Sequence, residues 1–191
     1  MTSRLIASVL AFLALVAPAA AQQLPGGAAP QVHPGTKLSF PPTVAGAQME
    51  RSYTQPVGRD VHYVYGYSLD KMYINIFLFD NGRRVPSGPD SPTVTTQFSG
   101  EIEATEKTAK TDGYTSFEKP SVPSSCTYGS ITFRCVTYSA QSGRGRVFSK
   151  LMMTGFRDSF LKIRIDWSQA QNQTSSDAER ALRTFIPALI R

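Results

Sequence analysis

Cys126 and Cys135 are the only two cysteines of the chain, with eight residues between them. Tyr128-Gly129-Ser130 reads as a turn between two β-leaning arms, so a hairpin brings the two thiols within disulfide range. Closing a loop of about ten residues is worth roughly 2.5–3 kcal/mol on the chain-entropy account. A redox-active pair is disfavoured, because the close C-x-x-C spacing at a helix N-terminus is missing. A metal centre needs further ligands, and neither His33 nor His62 lies near the cysteines in sequence. The expectation is a structural disulfide, with no metal and no cofactor.

His33 falls in a stretch rich in proline and glycine, which leaves His62 as the one histidine expected inside the fold. No Gly-x-Ser-x-Gly elbow surrounds a serine, and no phosphate-cradling or dinucleotide fingerprint is present. Tyr63, Tyr65 and Tyr67 alternate along the strand that carries His62. They therefore share one face, with His62, Val64 and Gly66 on the other. The tyrosine stripe is either an aromatic shelf for a ligand or a layer packed beneath a helix, hydroxyls reaching the edge. Glu101, Glu103 and Glu106 spread around one helix rather than converging, and read as solvated. They offer no carboxylate pair for acid–base work.

The formal net charge is +6, and the excess is uneven. Residues 134–164 hold Arg134, Arg144, Arg146, Lys150, Arg157, Lys162 and Arg164 against Asp158 alone. Arg144, Arg146, Lys150, Lys162 and Arg164 are the candidate anion-binding positions, with Gly143 and Gly145 offering backbone amides beside them. Such a patch steers anionic partners. For an exported protein these are lipid head groups, lipopolysaccharide or a wall polymer. Nucleic-acid recognition motifs are absent.

The elements that must position these residues follow from pattern. A basic start, an apolar run from Leu5 to Val16 and Pro18-Ala19-Ala20-Ala21 make a three-part export signal over residues 1–21. The apolar run is shorter than the ~20 residues a membrane span takes. Residues 22–37 read as a flexible Pro/Gly-rich leader, and 38–191 as one globular α+β domain. Strands are expected over 49–55, 60–67, 71–79, 114–118, 131–140, 146–155 and 159–167, besides the short arm that carries Cys126. Ser91-Pro92 opens a helix with an N-cap hydroxyl and proline at the first helical position, running to about Lys110. Ser176-Asp177-Ala178-Glu179 reads as a capping box for a C-terminal helix with an apolar stripe over Ala178, Leu182, Phe185, Ile186 and Leu189. Hairpin spacing favours a single, mainly antiparallel sheet of six to seven strands with two amphipathic helices.

Phe40-Pro41-Pro42-Thr43-Val44-Ala45-Gly46 before a tyrosine-rich strand, with Tyr73 to Asp80, the Gly82 turn and the Pro86 to Ser91 segment, resembles uncharacterised exported proteins of proteobacteria. That resemblance implies export and no particular activity. The order of elements, ending in a strand and a capped helix, resembles the PsbP/Mog1-like α/β/α sandwich at the level of fold alone. The leading expectation is an exported, non-enzymatic protein that binds an anionic envelope polymer or a protein partner. The competing one is a periplasmic hydrolase using His62 near the tyrosine shelf.

Overall fold

The computed structural model describes residues 22–23, 29–111, 114–118, 123–143 and 145–191. The export signal expected over 1–21 lies outside the described residues. In chain order the strands are β1 (Gln22–Gln23), β2 (Gln31–Val32), β3 (Ser39–Phe40), β4 (Thr43–Val44), β5 (Ala47–Val57), β6 (Asp60–Leu69) and β7 (Met72–Phe79). After helix α1 (Pro92–Thr111) come β8 (Ser116–Glu118), β9 (Ser124–Tyr128), β10 (Ile131–Ser142), β11 (Gly145–Phe156) and β12 (Ser159–Ser168). Helix α2 (Ser175–Leu189) closes the chain.

Ten strands form one sheet, more than the six or seven expected. The order is β1-β5-β6-β7-β12-β11-β10-β8, with β4 added to β5 and β9 to β10; β2 and β3 form a separate pair. The difference lies in strands of two to five residues, too short to show a period-two pattern. All described pairings are antiparallel, as hairpin connections require.

The two helices lie on opposite faces, and the alternation of β12 shows why. Leu161, Ile163, Ile165 and Trp167 join the cluster that takes in Ala178, Leu182, Phe185, Ile186 and Leu189 of α2. Phe160 points the other way, into a second cluster with Val94 and Phe98 of α1, Val136, Tyr138, Leu151 and Met153. Period two in one strand thus divides two cores.

Helix α2 begins two residues earlier than its sequence suggests. Thr174 is the N-cap and Asp177 completes the capping box, not Ser176 with Glu179. Glu179 is released for other work: it accepts hydrogen bonds from Lys150 and from the Tyr128 hydroxyl. Burial pushes the Glu179 carboxyl up, but these two donors outweigh it and hold the group below its ordinary value. The contact pins α2 to the cysteine hairpin. Pro187 lies inside the last turn, where it removes one i→i−4 hydrogen bond without ending the helix before Leu189. Cys126 and Cys135 are bonded, with Cα atoms 6.0 Å apart.

The leader is the clearest departure from expectation. Gln22–Gln23 pairs with Tyr53 and Thr54, and Gln31–Val32 with Phe40 and Ser39. His33 is only 5% exposed. Its Nδ1 accepts the Thr36 backbone N–H at 3.0 Å, and its ring meets Tyr63 edge-on at 4.6 Å. Residues 29–37 therefore belong to the domain, held by local hydrogen bonds that composition cannot reveal.

Burial lowers the His33 imidazole from its ordinary 6.5 to about 4. The unfolded chain then takes up the proton first as pH falls. Stability is full above about pH 6.5 and declines between pH 6.5 and 4, by up to roughly 3 kcal/mol. Urea midpoints at pH 7 and pH 5 test this: the midpoint should fall in the wild type and fall much less in His33→Asn, which keeps an acceptor without a titrating ring.

Candidate functional site

The α1 face of the sheet is only partly covered by α1, and its residues form ordered rows across the strands. One row runs Arg51, Gly66, Asn75, Arg164, Leu151, Val136 through β5, β6, β7, β12, β11 and β10. The next runs Ser68, Tyr73, Asp166, Ser149, Tyr138 through β6, β7, β12, β11 and β10. Towards the first turns of α1 the face is apolar. Beside the last turns it is polar, and there it opens into a cleft.

The cleft encloses about 1010 Å³, a volume that suits a ligand of several rings. Thr105, Thr108 and Ala109 of α1 form one wall; Tyr73, Tyr138, Ser149, Arg164 and Asp166 form the floor. Ala170 also lines it, as do Phe148 and Trp167, whose rings stack together against the α2-side core. A smaller hollow of about 340 Å³ adjoins it, lined by Glu50, Arg51, Tyr73, Asn75 and Asp166. Tyr73 and Asp166 line both.

Arg164 is the central cation. Its Nε donates to Ser149 Oγ and to Asp166 Oδ1, each at 2.8 Å. Both contacts use Nε, and among the described residues the terminal amines have no hydrogen-bond partner. Tyr138 is 3% exposed, stacks on Phe117 at 5.3 Å and has a buried hydroxyl without a hydrogen-bond partner among the described residues. Burial pushes its phenol up, opposed by the charge of Arg164. An unpartnered buried hydroxyl costs about 1–3 kcal/mol.

The other expected residues are placed differently. Arg144 lies outside the described residues. Arg146 sits on the α2 face, paired with Glu118 and donating to Ser139. Lys150, also on the α2 face, is 12% exposed and committed to Glu179 and Tyr128. Lys162 is 13% exposed under α1, paired with Glu101 at 2.8 Å and 4.1 Å above the Phe77 ring. The basic stretch is thus not one anion-binding surface: alternation along β11 and β12 splits it between faces, and each described member of the set has a carboxylate. Only Arg164 opens on a cleft. Glu101 is correspondingly not solvated, contrary to expectation.

The tyrosine shelf is core. Tyr65 and Tyr67 are each 1% exposed. Tyr65 stacks on Phe40 at 3.6 Å, and Tyr67 packs against Phe185 of α2 and donates to the Pro41 carbonyl. Tyr63 is covered in part by His33. His62 faces the α1 side, away from the tyrosines, and stacks on Phe79 at 4.1 Å. Burial and the Lys162 ammonium lower its pKa, against Glu101, Asn81 and Asp60. Among the described residues no hydroxyl or thiol is hydrogen-bonded to it, so the nucleophile–base pair of a hydrolase is not assembled there.

Among the described residues no group of His, Cys, Asp or Glu is arranged to hold a metal ion, and no helix is long and apolar enough to cross a membrane. Sequence reasoning missed Arg51, Tyr138 and Asn75. Gly66 inside a strand was the available signal, since a strand glycine often marks close approach by another group. No protein-family model, curated protein or solved structure matches the chain, so its function has to be read from the cleft itself.

Proposed function

We propose that this is an exported, non-enzymatic binding or accessory protein for an anionic component of the cell envelope, seated in the cleft beside α1. The observation that carries the reading is Arg164, whose terminal amines have no hydrogen-bond partner among the described residues, in a cleft of about 1010 Å³ lined also by Tyr73 and Tyr138. Aromatic walls supply apolar contact and a few placed polar groups supply orientation, the usual composition of a ligand site. Export is supported by the N-terminal signal pattern and by the disulfide, a bond that persists in oxidising compartments.

The test compares two arginines from the same basic stretch. A polyuronate should bind the wild type with an affinity that fades as salt rises. Arg164→Ala should weaken it about tenfold. Arg146→Ala, on the other face and already paired with Glu118, should change binding less than twofold. The reverse ranking would overturn the assignment to the cleft.

A further inference from the structure

We infer that the cleft and the adjoining hollow are one trough for an extended acidic oligosaccharide, with Arg51 as its second anion contact. The inference rests on the proposed function and names its ligand.

Arg51 is placed by two local devices. The β5–β6 register shifts between Met49 and Arg51, and such a bulge re-aims the side chains beside it. Opposite Arg51 is Gly66, where an added Cβ would lie 2.7 Å from Arg51 Cγ and 2.8 Å from Nε. The missing side chain lets Arg51 lie flat across β6 and donate from Nη2 to Asn75 Oδ1 at 2.7 Å. Asn75 is itself 7% exposed. Among the described residues Arg51 has no ion pair within contact distance, although Glu50 and Asp166 line the same hollow.

The charges define the ligand. Arg51 leans towards β7, whereas Arg164 leans towards Ser149 on β11. Arg164 Nε also donates to Asp166 on its own strand β12, next to β7, so the two guanidinium groups are one to two strand spacings apart, roughly 5–10 Å. Successive acidic units of a chain can span that interval, one at each guanidinium. Three cations (Arg51, Lys71, Arg164) face two carboxylates (Glu50, Asp166) around the trough. That near balance disfavours a dense polyphosphate and suits a ligand rich in hydroxyls. Carboxylates accept hydrogen bonds from sugar hydroxyls, and arginine and asparagine donate to sugar oxygens and carboxylates. Tyr73, 51% exposed where the two lobes meet, presents a ring face for the apolar side of a sugar.

Calorimetric titration with oligogalacturonates of two and six units, and with a neutral glucan hexamer, tests this. The acidic hexamer should bind at least tenfold more tightly than the dimer and than the neutral hexamer. Arg51→Ala should cancel the advantage of the hexamer and leave the dimer unchanged. Gly66→Ala should do the same with Arg51 still present, because the new methyl would lie 2.7 Å from Arg51 Cγ and displace the side chain from Asn75; a melting curve checks that the variant remains folded. If length gives no advantage, or Arg51→Ala has no effect, while Arg164→Ala still abolishes binding, the extended trough is wrong and the cleft stands. Equal binding of the neutral hexamer overturns the acidic ligand. If no oligogalacturonate binds, the inference fails. If Arg164→Ala also leaves polyuronate binding unchanged, the cleft reading fails with it.

Discussion

Gly155→Ala is expected to leave the chain unable to reach a stable fold, with a loss of about 4 kcal/mol or more. A Cβ at this position would lie 1.8 Å from the Pro86 carbonyl oxygen and 2.9 Å from its carbon. Both are backbone atoms, so no side-chain rotation relieves the clash. The loop cannot withdraw either. Gly88 N–H donates to the Gly155 carbonyl at 2.9 Å, and Gly155 N–H donates back to Gly88 at 3.0 Å. Separation breaks both bonds and lifts Val85, which is fully buried in the α1-side core. Gly100→Ala is the matched control. It lies inside α1 with no atom within 4 Å of an added Cβ, and should gain about 0.5–1 kcal/mol through helix propensity. Urea denaturation of the two variants reads both signs.

Phe185→Ala should cost about 3–5 kcal/mol, the range for truncating a fully buried phenylalanine. Phe185 has no exposed surface and meets Tyr67 edge-on at 5.1 Å. It sits in the middle of the α2 stripe, so the cavity would open where the helix, β6 and the N-terminal segment with Leu38 and Phe40 converge. Collapse around the gap is restricted, because α2 is also tied down by the Lys150–Glu179 contact. A loss below 1 kcal/mol, measured by chemical denaturation, would mean that α2 is not a principal cover of this core.

These effects depend on partners far away in sequence, which is why only part of the molecule was legible beforehand. The long strands and the disulfide follow from local signals: alternation in β6 and β12, a turn between two cysteines, and a proline just inside α1. Alternation also fixed which residues share a face. It could not say what covers that face, so Tyr65 and Tyr67 stood open as a shelf or a core until Phe40 and Phe185 were seen against them. The basic stretch misled for the same reason. Charges adjacent in sequence alternate between two faces, and their carboxylates arrive from α1, α2 and β8. The trough was hidden more deeply, because Arg51, Asn75 and Arg164 belong to three strands and meet only through register.

The most direct test of the cleft is backbone NMR of the disulfide-bonded chain titrated with hexagalacturonate. Resonances of Tyr73, Tyr138, Ser149 and Arg164 should shift together and saturably, with those of Lys150 and Glu179 on the opposite face unmoved. Shifts confined to the α2 face, or no saturable shift at all, would contradict the account.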